Sequence, residues 1–117
     1  MKKNVLLIGG RSKAKALSLS LVSKGCRVTV INNSREDCQM LADSGKCTVI
    51  CGDGTKPYVL EDADASSMDI AIALTNADED NLVACQLCRK RFGVKRTISL
   101  LNDPKKTYFF YEMGVDR

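Results

Sequence analysis

Five short runs of mostly β-branched and aliphatic side chains, residues 5–8, 28–31, 48–51, 70–74 and 97–101, alternate along the chain with segments that carry helix signals. That alternation narrows the fold more than any other feature. Runs this apolar, without strict in-and-out alternation, fit parallel strands covered on both faces. Parallel neighbours cannot be joined by tight hairpins. Each connection must cross over, and right-handed crossovers place helices on both sides of the sheet.

The intervening segments support that reading. Ala14, Leu17 and Leu21 fall on one face of a helix that should end near Lys24 and Gly25, with the glycine closing it. Ser34 with Asp37 has the spacing of a capping box that opens a second helix toward Leu41. Residues 57–62 form a third, short helix. Asn76 with Glu79 is read as the cap of a longer one running to Phe92 and Gly93. Asp103 followed by Pro104 is an N-cap with a favoured first-turn proline. The expectation is an α/β domain: a Rossmann-type doubly wound parallel sheet of about five strands, the first strand central, with helices on both faces. No repeat, low-complexity stretch or Gly/Ser/Pro-rich linker divides it, so residues 1–117 are read as a single domain.

Composition excludes several function classes. The net charge of +4 is mild, and its basic residues lie in scattered clusters such as Arg11, Lys13 and Lys15, which argues against a nucleic-acid partner. The apolar run after Lys2 and Lys3 is too short for a signal peptide or a membrane span, so the domain is expected to be cytoplasmic and not itself membrane-inserted. Six cysteines lie in apolar, periodic segments without a secretion signal, and are read as reduced, mostly buried thiols. The Cys85-x-x-Cys88 pair falls inside a helix, and with no histidine in the chain it reads as core packing with no metal site.

The chemistry sits where strands end. The first strand runs into Gly9-Gly10-Arg11-Ser12-Lys13-Ala14, where a dinucleotide fold places G-x-G-x-x-G. Gly9 and Ala14 fit the first and third small positions. Arg11 stands at the second, where it either fills the pyrophosphate space or reaches the phosphates as a charge-assisted donor. The alternative is a tight turn that binds nothing. The second strand ends in Asn32-Asn33-Ser34-Arg35, about twenty residues on, where an acidic side chain ordinarily holds the ribose hydroxyls. Asn32 brings no charge to repel a 2′-phosphate. Ser34 and Arg35 are placed to hold one, which tilts the cofactor toward NADP or another phosphorylated adenine nucleotide; on the other reading Ser34 only caps its helix and Arg35 is solvated.

The third strand ends in Gly52-Asp53-Gly54-Thr55, and the fourth in Leu74-Thr75-Asn76 before a helix opening with Asp78, Glu79, Asp80, Asn81 and Leu82. With Asn102-Asp103-Pro104 and Gly114-Val115-Asp116, this order and spacing resembles the TrkA N-terminal domain family, also called KTN or RCK, of potassium-transport regulators. The resemblance covers essentially the whole chain. It implies an NAD(P)(H) or other adenine-nucleotide ligand (ATP, ADP or AMP), Asp53 and Thr55 on the adenosine side, and Thr75 and Asn76 facing the phosphates or the distal half of the ligand. It also implies a homodimer or larger ring acting on a potassium transporter or channel membrane subunit, peripheral to the membrane. In the family fold a sixth strand begins about where this chain ends, so an abbreviated domain is expected.

An enzyme is not expected. No histidine is present, and none of Tyr58, Tyr108 and Tyr111 has a lysine four residues later. The competing readings are the cofactor half of an NADP-dependent oxidoreductase and a vestigial dimerisation scaffold. The segment around Tyr108, Phe109, Phe110, Tyr111 and Met113 holds more large apolar side chains than one helix face can bury. Either they form an interface or a sixth strand covers them.

Overall fold

In the computed structural model, which describes residues 2–117, the central strand β1 (Asn4–Ile8) explains why the sheet is covered on both faces. Leu6 and Ile8 pack into one apolar layer with Val59, Leu60 and Ala84, whereas Val5 and Leu7 pack into another with Val28, Val30 and Leu41. All four β1 side chains are sealed from solvent, and such burial contributes about 1.5–3 kcal/mol for each.

The chain continues through α1 (Arg11–Ser23), β2 (Arg27–Asn32), α2 (Arg35–Asp43), β3 (Thr48–Cys51), α3 (Pro57–Asp62), β4 (Ile70–Ala73), α4 (Asp78–Lys90), β5 (Arg96–Ser99) and α5 (Thr107–Glu112), with 3-10 turns at Ala65–Ser67 and Pro104–Lys106. The five strands lie in the order β3-β2-β1-β4-β5 with every pairing parallel. Helices α1 and α2 cover the Val5/Leu7 face, and α3 and α4 the other. This is the expected doubly wound sheet with β1 at its centre. Chain order reverses between β3 and β4, so β1 and β4 flank the switch point at which such sheets bind ligands.

The register brings the ends of the inner strands level: Ile8 stands beside Ile31 and Ala73, and Asn32 beside Cys51. β4 and β5 end sooner than their apolar runs suggest, although Leu74 N–H still donates to the Ile8 carbonyl and Leu100 N–H to that of Ala73, both at 2.8 Å. α1 closes as expected: Gly25, at φ 90, donates to Val22 O, and Cys26 N–H donates to Leu21 O. The expected cap of α4 is corrected. Its N-cap is Ala77, with no side-chain hydrogen bond, because Thr75 and Asn81 organise the turn instead of Asn76.

In α5 only Phe110 enters the core, against Ala73, Cys85 and Val115, while Tyr108, Phe109 and Tyr111 are exposed. The segment after it lies along β5, with Asp116 N–H donating to Thr97 O and Ser99 N–H to Arg117 O. Cys85 and Cys88 are core residues, and burial pushes each thiol up to about 12. Among the described residues no helix is long and apolar enough to cross a membrane.

Candidate functional site

The loops after β1, β2, β3 and β4 enclose a cleft of ≈ 370 Å³, within the roughly 300–1,000 Å³ common for small-molecule sites. Its floor is the β1–α1 turn. Gly9 and Gly10 have φ of 77 and 78, which side-chain-bearing residues rarely adopt. A Cβ at Gly9 would stand 2.5 Å from Thr75 Cγ2, and one at Gly10 2.7 Å from Leu74 Cβ. Both glycines are therefore demanded twice, by backbone conformation and by the neighbouring β4–α4 turn.

Beyond them α1 starts with its N-terminus bare. Gly10 is the N-cap and has no side chain to offer, Ala14 N–H makes the first full-turn bond to Gly10 O at 3.0 Å, and the first turn holds no acidic residue. The preceding N–H groups of Arg11, Ser12 and Lys13 lack full-turn partners, and the helix dipole adds partial positive charge there. Arg11 itself turns outward, with its side chain 82% exposed and Nε 3.3 Å from Asp37 Oδ2.

Asn32 at the end of β2 is buried, and its Oδ1 accepts from Ser34 N–H at 3.0 Å. Its amide nitrogen has no hydrogen-bond partner among the described residues and so remains a donor beside the cleft. Ser34 Oγ accepts from Asp37 N–H, so the capping half of the box forms; the reciprocal half does not, since Asp37 pairs with Arg11. Asn33 lines the cleft. Arg35 does not: it is exposed at the start of α2.

After β3, Asp53 Oδ1 accepts from Thr55 N–H at 2.9 Å and from Thr55 Oγ1 at 2.7 Å. Those bonds, the backbone one foremost, and the Lys56 charge hold its carboxyl below the usual carboxylate value. Gly54 lies against β1, where a Cβ would collide with Ile8 Cγ2.

The β4–α4 wall is held by a side chain that sequence reasoning did not place in the site. Asn81 is fully buried; its Oδ1 accepts from Thr75 N–H and Oγ1, and its Nδ2 donates to the carbonyls of Thr75 and Leu100. Asp78, also buried, accepts from Asn102 N–H at 2.7 Å and Asp103 N–H at 3.0 Å, while Asn102 Nδ2 donates to Asn76 O. The Asn102 N–H is the main reason its carboxyl is held low, with Asp103, the Asn102 side chain and Lys106 adding to it. The structure thus brings every predicted site residue except Arg35 to one cleft, and adds the charged side chains of Lys13, Asp37 and Asp80. Asp37 was legible only as part of a helix cap, and Asp80 only as one of three first-turn acids.

The TrkA-N domain model matches residues 5–117. A curated relative, the Trk system potassium uptake protein TrkA homolog of Methanothermobacter thermautotrophicus, is 34% identical over 112 residues, covering 96% of this chain and 51% of the relative. The chain thus spans about half the length of that protein. Among solved structures, the GsuK channel bound to NAD superposes with a TM-score of 0.86 at 19% identity, covering all of this chain and 21% of the channel chain. GsuK bound to ADP gives 0.85 at 19% identity, with 100% and 31% covered. At that identity the superpositions speak for the fold alone. The family match, running from β1 to the last residue, settles kinship: this chain belongs to the TrkA-N domain family.

Proposed function

We propose that this domain is the nucleotide-sensing module of a potassium uptake or channel system, regulatory and not catalytic. An adenine nucleotide occupies the cleft, with its diphosphate on the bare N-terminus of α1 and its adenosine between Asn32 and Asp53. The carrying observation is that helix end: 13 residues long, uncapped, free of first-turn acids and opening into the cleft. Asn32 offers an amide donor to the ribose and Asp53 a carboxylate oxygen to a hydroxyl or the adenine amino group. The TrkA relative and the NAD- and ADP-bound channel structures support this choice of ligand class and of a potassium-translocating membrane subunit as partner.

Ligand binding regulates only if it favours one assembly geometry over another. The exposed Tyr108, Phe109 and Tyr111 supply a surface for such an assembly, a homodimer or larger ring on the cytoplasmic side. Calorimetry with NAD, NADP, ADP and ATP is expected to give at least one binder. Silence with all four overturns the reading in favour of a scaffold. Sedimentation with and without the bound nucleotide is expected to report self-association that Phe109→Glu abolishes; Phe110, being core, is the wrong residue to test.

A further inference from the structure

Two cysteines that lie 13 positions apart in sequence come together beside the cleft, where the proposed ligand does not use them. Cys38 lies in the first half of α2 and is buried, with its thiol donating to the Asn32 carbonyl at 3.2 Å. Cys51 is the last residue of β3, directly beside Asn32 in the ladder, and is exposed. The same Asn32 carbonyl accepts the N–H of Gly52 at 2.8 Å, so one oxygen ties both cysteine segments together. Burial first, then the neighbouring Cys51 thiol, push Cys38 up to about 12. The other four cysteines lack this arrangement: Cys85 and Cys88 are in the core, Cys47 packs under α2, and Cys26 packs beside α1.

We propose that Cys38 and Cys51 are a peroxide-sensitive dithiol whose oxidation to a disulfide alters the adenosine end of the cleft. Peroxide converts the exposed Cys51 thiol to a sulfenic acid and releases one water. The Cys38 sulfur then attacks the Cys51 sulfur; the S–S bond forms as the S–O bond breaks, and the hydroxyl leaves with the Cys38 proton as a second water. Two thiols are oxidised and one peroxide is reduced. Forming the bond takes Cys38 away from the Asn32 carbonyl and draws α2 toward the end of β3. Asn32 and Gly52 both line the cleft, so its adenosine end is reshaped. That consequence rests on the nucleotide reading above, whereas the disulfide does not.

The full chain is treated with hydrogen peroxide, alkylated under denaturing conditions and mapped without reduction. A Cys38–Cys51 cross-linked peptide is expected in the wild type and in Cys47→Ser, absent in Cys51→Ser, and reversed by dithiothreitol. Free, alkylated Cys38 after peroxide, or linkage of Cys51 to another cysteine, overturns the pair. Cys51→Ser is the deciding variant because its site is exposed and the substitution leaves the core intact. ADP titration then reads the coupling: severalfold weaker binding after oxidation of the wild type, with no change for treated Cys51→Ser, supports it. A cross-linked protein with unaltered ADP affinity overturns the coupling. If none of the four nucleotides binds in either redox state, the nucleotide reading fails while the mapped cross-link still decides the dithiol.

Discussion

The β1–α1 and β4–α4 turns stand side by side at the switch point, yet they solve the same problem in opposite ways. Each passes from the end of an inner strand into a 13-residue helix. The first is built of glycine, has no side-chain cap and carries no acidic residue in its first helical turn. The second opens with Asp78, Glu79 and Asp80 and is knotted by Asn81, Thr75 and Asn102. One leaves its donors open; the other spends its polar groups on itself. Identical topology therefore does not make identical sites. What decides is whether the local sequence satisfies its own backbone. The knotted turn also serves the open one, because Thr75 and Leu74 are the walls against which Gly9 and Gly10 fit.

Cutting the knot should produce the largest effect. Asn81→Ala removes a fully buried amide and strands the Thr75 N–H and two carbonyls, which predicts a loss of about 3 kcal/mol in urea unfolding. A loss below about 1 kcal/mol would mean that the knot does not hold the turn. Next comes the open turn. Gly9→Ala adds a Cβ at positive φ and against Thr75 Cγ2, predicting about 2 kcal/mol of destabilisation and no measurable nucleotide binding. Thr75→Ser in that background removes the clashing methyl and should recover part of the stability, while the φ strain remains. No recovery would show that the two turns are not in steric register.

The asymmetry between the turns was only half legible in the sequence. The doubly wound sheet with its first strand central followed from five apolar runs and their crossovers, and the four strand-end loops could be placed on one edge because parallel strands all end there. The glycine turn advertised itself through Gly9 and Gly10. The knot did not, because Asn81 lies one turn inside a helix and its partners, Thr75 and Leu100, are 6 and 19 residues away. Asn76 took the cap position on spacing alone, since nothing local reveals that Asn102 reaches its carbonyl. Arg35 differs for a related reason: position in the chain located it beside Ser34, but at the start of α2 it is exposed and outside the lining of the cleft. Nor does spacing reveal that Cys38 and Cys51 meet, which depends on how α2 folds back over β3.

Smaller effects separate the ligand side from the structural side. Asp53→Ala is expected to weaken nucleotide binding by about 1–2 kcal/mol in calorimetry and leave the unfolding midpoint nearly unchanged, since the residue is exposed and its side chain bonds only to Thr55. An equal loss in both measurements would make Asp53 a structural turn residue. Asp78 should behave in the reverse manner. Its carboxyl is lowered in the folded state, chiefly by the Asn102 N–H, so its contribution to stability is complete above the usual carboxylate value and fades as pH falls through the depressed one. Asp78→Asn should flatten the acid limb of a stability-against-pH curve without changing affinity at neutral pH. An unaltered acid limb would break the assignment of the knot's charge to Asp78.

Arg11 gives the smallest expected effect and the finest test of the comparison. Its ion pair with Asp37 is formed by an 82%-exposed side chain at 3.3 Å, and pairs of that kind are worth about 0–1 kcal/mol. Arg11→Ala should therefore leave the unfolding free energy within about 0.5 kcal/mol of the wild type. If the bare N–H groups of α1 are the principal phosphate donors, the same variant should also keep most of its ADP affinity, losing less than about tenfold, or about 1.4 kcal/mol. The guanidinium then adds only long-range attraction, which raised salt should screen in the wild type until the two proteins bind alike. A loss of a hundredfold or more, on the order of 2.8 kcal/mol, would reverse the assignment. The arginine would then be the phosphate ligand, swinging away from Asp37 when nucleotide arrives, and the openness of the β1–α1 turn would matter only for the room it leaves that side chain.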